Sequence, residues 1–368
     1  MVFSVFTGNE ALSVMTRDDF RQEWTALYEA CPWATSAQSP SFTSLRCALY
    51  RDRSTPVLAV QREAGTLVGL LALAVQDGEQ WTLGASCDDG EYHVWLAEPA
   101  NAESFMPLAL EALSETVDMP PISLRYVPGD VALEWTKQGR FRLLAELRPA
   151  QTPVLSLGVR EDAIKFVQSK DRLRSKRSGL ARLGKVTFRR VIGTEGFERV
   201  LDRFEAMSIG RSAQKTGSLT QKCPIKRAFL AARQAVPGLQ HTTVLELDEN
   251  PIAMHIGIEG RPGGAFSLAG ITHDITYSKY SPGSLLLAEL IPLLCDEGYS
   301  LFDLTPGDDA YKERWSERSE TVYELRLYPS LASRGFELAS RPGPSALRKL
   351  RNLTAQARQT ASTMRKAQ

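Results

Sequence analysis

The chain has 368 residues, of which 43% are hydrophobic and 24% charged, and 44 basic against 43 acidic residues leave a formal net charge of +1. The length predicts two ordinary domains, while the near-neutral charge excludes a partner selected by overall charge alone. The five cysteines are scattered and form no Cys-x-x-Cys pair, which argues against a disulfide framework and a cysteine zinc site. The longest apolar run, at 68–75, is too short to span a bilayer. We therefore expect a cytoplasmic protein.

The first half of the chain has the pattern of a mixed α/β unit. Its predicted elements are a helix over 17–31, hairpin-joined strands over 56–63 and 66–75, a helix over 103–117 and a strand over 121–128. The turn-rich segment 147–158 then marks a boundary. We therefore predict a first domain over residues 1–150 and a second over 151–330.

The second unit opens with a strongly basic segment. A long helix is predicted from about 160 to 184, and between residues 170 and 190 the chain carries nine Lys or Arg and one acid, Asp171. Such a tract favours tRNA or acidic glycan intermediates as partners, and a face turned to water accounts for it as well. Two more helices are predicted, over 195–213 and 224–236.

The periodicity then changes to that of strands. Three short apolar runs at 242–248, 251–260 and 265–271 are separated by turn-forming residues, which predicts an antiparallel meander. A helix beginning at Pro282 and a strand at 300–306 follow. A right-handed crossover places the last strand parallel to 265–271, so the sheet changes from antiparallel to parallel pairing beside the start of the helix.

The stretch YSPGSLLLAEL, 280–290, opens this helix with Ser281 as a suitable N-cap, Pro282 at the first helical position and Gly283, which leaves room for a close approach. The first amides of a helix have no intrahelical partner and carry the positive end of its dipole. Because this start follows the carboxyl end of a strand, we expect it to face a cleft suited to phosphate. A well-capped structural helix is the alternative.

The chain closes with a predicted helix over 309–315, which Asp308 is placed to cap, a strand over 321–329 and a basic tail over 340–368. From residue 341 onward the tail carries seven Lys or Arg and no acids. Such a tail is typical of binding to RNA, to an anionic membrane surface as a peripheral contact, or to a partner, and also of a solvated terminal helix.

The meander, the diverging strand pair and the amide-presenting helix resemble the core of GNAT acyltransferases, in which the fourth strand and the next helix hold the pantetheine and pyrophosphate of coenzyme A. YSPGSLLLAELI and GYSLFDLTPGDDAYKERW resemble, more specifically, the bacterial cellulose-biosynthesis (CelD/BcsL-type) branch, which is distantly similar to Fem-type aminoacyl transferases. CDDGEYHVW resembles an acidic-aromatic stretch of that branch. The resemblance implies an α/β fold of tandem GNAT-like domains, each a mixed, mostly antiparallel sheet flanked by helices.

The resemblance also implies acetyl-CoA or another acyl-CoA as co-substrate, bound by the second domain. The usual glycine-rich pyrophosphate signature, G-x-G, is absent, and Ser281-Pro282-Gly283 is a shortened substitute. Backbone amides of the strand would hold the oxyanion of the tetrahedral intermediate. The expected donor-binding residues are Ala269, Gly270, Ile271, Tyr280, Ser281, Pro282, Gly283 and Ser284.

Four side chains are candidates for the chemistry. Asp303, a carboxylate in the apolar strand SLFDLTP, would act as base or orient the acceptor, and a satisfied structural hydrogen bond is the alternative. Tyr311 and Lys312 match the recurrent Tyr-Lys of the branch, which implies that Tyr311 protonates the leaving thiolate and that Lys312 binds an anion. The alternative is structural, because a helix cap, a salt bridge and a core anchor explain the same segment. His255 is either a base or a core histidine. No metal-ligand spacing, hydrolase elbow or P-loop occurs, so we expect no metal.

These features predict an N-acyltransferase that moves an acyl group, expected to be acetyl, directly from acyl-CoA to an amine. The resemblance implies polysaccharide or cell-envelope metabolism and a small-molecule or glycan-precursor acceptor such as an amino sugar. Two alternatives remain open: a Fem-like transferase that uses aminoacyl-tRNA, and a non-catalytic binding protein with the same fold.

Overall fold

The computed structural model describes residues 2–76, 92–116, 119–216, 223–259, 264–307 and 309–340. Asp308, the 341–368 tail and residues 87–91 of the acidic-aromatic stretch lie outside the described residues. In the described residues no helix has the length and apolar character needed to cross a membrane.

The first half is built on a four-stranded antiparallel sheet flanked by helices. Its strands are β1 (Val2–Thr7), β2 (Ser54–Glu63), β3 (Thr66–Gln76) and β4 (Leu96–Ala97), in that spatial order. Its helices are α1 (Gly8–Thr16), α2 (Asp18–Ala30), α3 (Pro40–Tyr50) and α4 (Phe105–Thr116). The predicted hairpin is confirmed, since β2 and β3 pair antiparallel on either side of Ala64-Gly65, both with positive φ.

The second sheet has eight strands. They are β5 (Ile122–Pro128), β6 (Ala145–Ser156), β7 (Val186–Val191), β8 (His241–Leu247), β9 (Asn250–Ile258), β10 (Ala265–His273), β11 (Leu301–Asp303) and β12 (Arg318–Leu327). Their spatial order is β5-β12-β6-β11-β10-β9-β8-β7. The helices of this half are α5 (Phe141–Leu144), α6 (Arg160–Gln168), α7 (Leu173–Ala181), α8 (Gly193–Thr216), α9 (Pro224–Ala235), α10 (Pro282–Asp296), α11 (Ala310–Trp315) and α12 (Leu331–Ser340).

The predicted meander is confirmed as β8, β9 and β10, and so is its parallel neighbour β11. The parallel pairing is short: only Ala265–Ser267 of β10 face Leu301–Asp303 of β11, after which β10 continues to His273 and β11 ends. The backbone pairing of the two strands therefore ends well before β10 does, and α10 begins after β10 and a 3₁₀ turn over Ile275–Tyr280.

The two faces of the second sheet carry different helices. On one face Phe266, Leu268 and Phe302 pack against α6 and α10, whose Leu-rich sequence is apolar on most sides because it is deeply buried. On the other face Met254 and Ile256 pack against α8. Because strand side chains alternate between faces, Ser267 and Asp303 point away from α10.

The two halves share strands and core. β5 belongs to the first half of the sequence but pairs with β12, and its apolar side chains join the core of the first sheet. β6 runs without interruption across residue 150, and the division into 1–150 and 151–330 stays a prediction. The expected class, α/β with mostly antiparallel sheets flanked by helices, is confirmed.

The long basic helix predicted over 160–184 is wrong in one respect: it is broken between α6 and α7, where Arg172 has a positive φ of 62°. The two pieces bury their apolar residues in different clusters beside α10. Ala163 of α6 lies in one with Leu290, and Leu180 of α7 lies in another with Leu285. A single straight helix cannot reach both, so the chain turns at Arg172.

Candidate functional site

A cavity of about 620 Å³ opens between the two halves of the chain, on the face of the second sheet that points away from α10. Its size is typical of a pocket for a small organic ligand. The first half contributes residues 32–36, Tyr92 and 128–130, and the second half contributes side chains of β6, β10, β11 and β12. The first half is therefore part of the site.

Asp303 lies in the wall of this cavity and is 4% exposed. Its Oδ1 accepts hydrogen bonds from the Thr152 hydroxyl at 2.8 Å and the Thr305 amide at 2.7 Å. Its Oδ2 accepts from the Tyr92 hydroxyl at 2.5 Å and the Ser267 hydroxyl at 3.2 Å. Burial raises the pKa of Asp303, and these four donors oppose that rise because they stabilise the carboxylate. A held, desolvated carboxylate of this kind can accept a proton.

Lys312 fixes the turn that follows Asp303. Its ammonium donates to the Thr305 carbonyl at 2.9 Å, the Thr305 hydroxyl at 3.1 Å and the Pro306 carbonyl at 2.9 Å. These three acceptors match the three N–H groups of an ammonium, which leaves Lys312 turned inward rather than toward an anionic ligand. It holds Thr305 at a φ of 62°, an uncommon conformation for a β-branched residue. Lys312 thus positions the amide that binds Asp303.

β10 carries an irregularity where the oxyanion donors are expected. Its register against β9 shifts between Leu268 and Gly270, so that Ala269 is an extra residue without a partner in β9. A bulge of this type leaves its extra residue outside the ladder and redirects the local backbone. A Cβ added at Gly270 would reach only ordinary contact with Phe204, at 3.5 Å. The bulge supplies backbone amides beside the point where β10 and β11 separate.

The start of α10 differs from the expected cap. Ser281 has left-handed backbone angles, with φ 52° and ψ 56°, and makes no side-chain cap to its own helix. Its carbonyl instead accepts from the amides of Ser284 at 2.9 Å and Leu285 at 3.1 Å. The hydroxyl of Ser281 is hydrogen-bonded to the ammonium of Lys176 in α7. The helix start is thus half-buried beneath α7, with a lysine charge added to the dipole.

Other cations and aromatic rings surround this helix start. Tyr280 packs on Gly179 of α7, where an added Cβ would lie 3.0 Å from its ring. On the other side, Arg211 of α8 donates to the Ile271 carbonyl at 2.5 Å, and its guanidinium lies 5.8 Å from the centroid of the Tyr311 ring. Arg211 therefore contacts both the end of β10, at Ile271, and α11, at Tyr311. Lys176 and Arg211 are thus two cationic side chains near the start of α10, the first bonded to Ser281 and the second to the Ile271 carbonyl.

Residues 168–313 match the profile of the acetyltransferase (GNAT) domain family. This part of the chain is therefore similar to a GNAT domain. The match covers β10, β11, the start of α10 and Asp303, and it covers less than half of the chain. No curated protein sequence matches the chain significantly.

Several solved structures are similar to the chain over both of its halves. FemX superposes with a TM-score of 0.61 at 11% identity, over 87% of this chain and 98% of that one. The C-terminal domain of a protein described as a lysylphosphatidylglycerol synthetase, from Agrobacterium fabrum, gives 0.56 at 12% identity over 87% and 95%. L-PGS from Bacillus licheniformis gives 0.54 at 13% identity over 85% and 96%. At these identities the likeness establishes the fold.

His255 is placed differently from the other catalytic candidates. It is fully buried in β9, its Nδ1 lies 3.2 Å from the Thr243 hydroxyl, and its ring packs on His241 and Phe266. Burial and the neighbouring His241 lower its pKa well below the usual value, so it is neutral. It is not among the described residues that line the cavity. The surroundings are those of a core histidine.

The remaining predicted residues fall into two groups. Asp303 faces the cavity. The other group lies around the carboxyl end of β10 and the start of α10, and it comprises Gly270, Ile271, Tyr280, Ser281, Gly283 and Tyr311. Sequence reasoning missed Tyr92 and Arg211 as site residues, and for the basic tract that contains Lys176 it left tRNA, acidic glycan intermediates and a face turned to water as alternatives. Only the acidic-aromatic stretch ending at Trp95 pointed toward Tyr92. In the described residues no three His, Cys, Asp or Glu side chains come together as a metal site would require.

Proposed function

We propose that the protein is an N-acyltransferase that moves an acetyl or similar acyl group from acyl-CoA to an amine. The observation that supports this proposal is that Asp303 lies in the cavity on one face of the pair β10 and β11, while α10, whose Ser281 is bonded to Lys176, lies on the other face. The thioester would lie between the strands. Its anionic pyrophosphate would lie at the helix start, and the amine would enter from the cavity.

The reaction follows from this geometry. The amine nitrogen attacks the thioester carbonyl carbon, and the oxyanion that forms is held by backbone amides of the bulge at Ala269. Asp303 accepts the proton that leaves the amine nitrogen, and the C–S bond breaks as the amide forms. Tyr311, beside Arg211, protonates the departing thiolate. No covalent enzyme intermediate is needed.

The cellular setting belongs to the same proposal. The likeness of the 240–320 region to the cellulose-biosynthesis branch favours polysaccharide or cell-envelope metabolism in the cytoplasm, with a glycan-precursor or other small-molecule amine as acceptor. The basic tail, 341–368, is proposed as a peripheral contact with an anionic membrane.

A second candidate donor is aminoacyl-tRNA. The observation that favours it is that α7, which carries Arg174, Lys176 and Arg177, borders the start of α10, within a fold shared with FemX. An RNA phosphate backbone would be bound by such a surface with strong salt dependence.

A ligand-stabilisation experiment tests the proposal. A ligand at a hundred times its Kd raises the free energy of unfolding by about 2.7 kcal/mol, so acetyl-CoA is expected to raise Tm by several degrees. Gly283→Glu adds bulk and negative charge at the helix start and is expected to abolish the shift. Gly335→Glu in α12, where an added Cβ meets no atom within 4 Å, is the matched control.

Three outcomes separate the candidates. A shift with acetyl-CoA that Gly283→Glu removes supports the acyl-CoA donor. Salt-sensitive retention of tRNA without an acetyl-CoA shift refutes that donor in favour of the second candidate. Absence of both effects refutes catalysis and leaves a binding protein with this fold.

A further inference from the structure

The helix α12 turns its apolar residues toward the solvent. Leu331, Phe336 and Leu338 are 58%, 71% and 45% exposed, and Ala332 and Ala339 are exposed as well. Their separations of three, four and seven residues place them on one face of the helix. A surface helix normally has the opposite orientation, with its apolar stripe on the core. A continuous exposed apolar face is typical of a surface that contacts a partner or a membrane.

The charged residues of α12 hold this orientation. Glu337 forms an ion pair with Arg326 of β12, and Arg334 donates to the carbonyl oxygen of Leu143 in α5. Glu337 and Arg334 are both half-buried. Because their contacts lie on the side of the helix that faces the protein, the apolar side faces outward. The exposure of Phe336 is therefore fixed by the packing of α12.

The neighbouring α5 adds an apolar side chain and two cations to this face. Leu143 is exposed, and its carbonyl is bonded to Arg334, so α5 and α12 are in contact. Arg140 and Arg142 precede Leu143 in the chain and are exposed. Neither of them, nor Arg334, forms an ion pair within the residues that the structure describes. We define the α5–α12 surface as the exposed residues Arg140, Arg142, Leu143, Leu331, Ala332, Phe336, Leu338 and Ala339.

This surface carries positive charge that its own elements do not cancel. The acids that flank α5 in the chain and the one acid of α12 each pair with a cation of their own: Glu134 with Lys137, Glu146 with Arg148 and Glu337 with Arg326. After α12 the chain continues into the basic tail, 341–368, which has seven Lys or Arg and no acids. The α5–α12 surface thus combines an apolar face with positive charge.

The charge distinguishes among the candidate occupants of this face. A two-fold dimer through the α5–α12 surface would bring the arginines of both copies together. The basic tail of the same chain would add further cations to them. An anionic lipid surface takes up apolar side chains at the level of its headgroups and attracts Lys and Arg, so it complements both properties of the surface.

We propose that the α5–α12 surface docks on an anionic membrane. Phe336, Leu331 and Leu338 insert between the lipid headgroups, while Arg140 and Arg142 lie at the phosphates. The surface adds an apolar contact to the tail contact proposed above. It contains none of the described residues that line the cavity, so membrane binding and acyl transfer are measured independently.

Sedimentation of the full chain with lipid vesicles tests this docking. Mixed vesicles of phosphatidylcholine with about one third phosphatidylglycerol are expected to bind about tenfold more tightly than vesicles of phosphatidylcholine alone, because several basic residues reach the lipid surface. Phe336→Ser removes the most exposed apolar group of α12 and is expected to weaken binding to the mixed vesicles about tenfold. Ile192→Ser is the matched control, since Ile192 is 81% exposed directly after β7, and it is expected to keep the affinity of the parent.

Arg142→Gln separates the charge from the apolar face. One basic residue at an anionic surface contributes up to about fivefold to the affinity, so this variant is expected to bind the mixed vesicles about threefold more weakly. Its binding to phosphatidylcholine vesicles is expected to equal that of the parent. Arg51→Gln changes an exposed arginine at the end of α3 and is the control, which is expected to bind both kinds of vesicle like the parent.

Three results would overturn the membrane-docking surface. The first is equal affinity of the parent and Phe336→Ser for the mixed vesicles, or equal affinity of the parent for both kinds of vesicle. The second is a dimer in lipid-free buffer that Phe336→Ser dissociates, which assigns the face to a second copy. The third is a Tm that falls by several degrees in Phe336→Ser while vesicle binding is unchanged, which shows that another segment of the chain covers the face.

Turnover with acetyl-CoA and a soluble amine, followed by release of the free thiol, tests the proposed function separately. Vesicle binding that depends on Phe336 without acyl transfer refutes the transferase and keeps the docking surface. Acyl transfer with equal vesicle affinities of the parent and Phe336→Ser refutes the docking surface alone.

Discussion

Asp303→Asn separates a catalytic carboxylate from a structural one, because the amide occupies the same volume. The carbonyl oxygen of asparagine still accepts from Thr305 and Thr152, at the 2.7 and 2.8 Å sites of Oδ1. Its NH₂ group replaces Oδ2, where the hydroxyls of Tyr92 and Ser267 can rotate and accept instead of donating. The variant is expected to lose about 1–3 kcal/mol of folding free energy and to remain folded.

Activity is expected to fall much further than stability. A general base contributes about 10²–10⁴-fold to the rate, and an amide cannot accept the proton. The assay is steady-state release of CoA thiol with a saturating amine, beside thermal unfolding of the same preparation. Glu111→Gln is the control for a carboxylate-to-amide change. If Asp303→Asn retains kcat/KM within about threefold of the parent, Asp303 is structural and the proposed mechanism is wrong.

Two further predictions concern the neighbours of the site. Tyr92→Phe removes a hydrogen-bond donor that lowers the pKa of Asp303, so we expect that pKa to rise and the acid limb of the kcat/KM profile to move to higher pH. Tyr126→Phe is the control, because its ring packs on Tyr92 at 6.5 Å, and it is expected to leave the acid limb in place. An acid limb that does not move in Tyr92→Phe contradicts the role of Tyr92. Lys176→Met is expected to raise KM for acetyl-CoA about fivefold, with Lys165→Met as the exposed control, and equal KM values would remove Lys176 from the donor site.

Sequence periodicity was sufficient for the parts of the fold that depend on local contacts. The change from strand to helix spacing located the meander, α10 and β11, and chain order then required their parallel crossover. Sequence periodicity failed where the conformation of a segment depends on contacts with residues far away in the chain. The segment 147–158 has the composition of turns, yet most of it is β6, because β12 and β11 pair with it on either side.

Local residue patterns were enough to locate a carboxylate at the end of a strand and the start of a helix near it. The surroundings of both depend on how distant parts of the chain pack. Tyr92 and Asp303 lie 211 residues apart in the chain and meet because the first half packs over the open face of the second sheet. Lys176 reaches Ser281 because α7 bends away from α6. Contacts of this range depend on how whole sheets and helices pack, and no local pattern of residues encodes them.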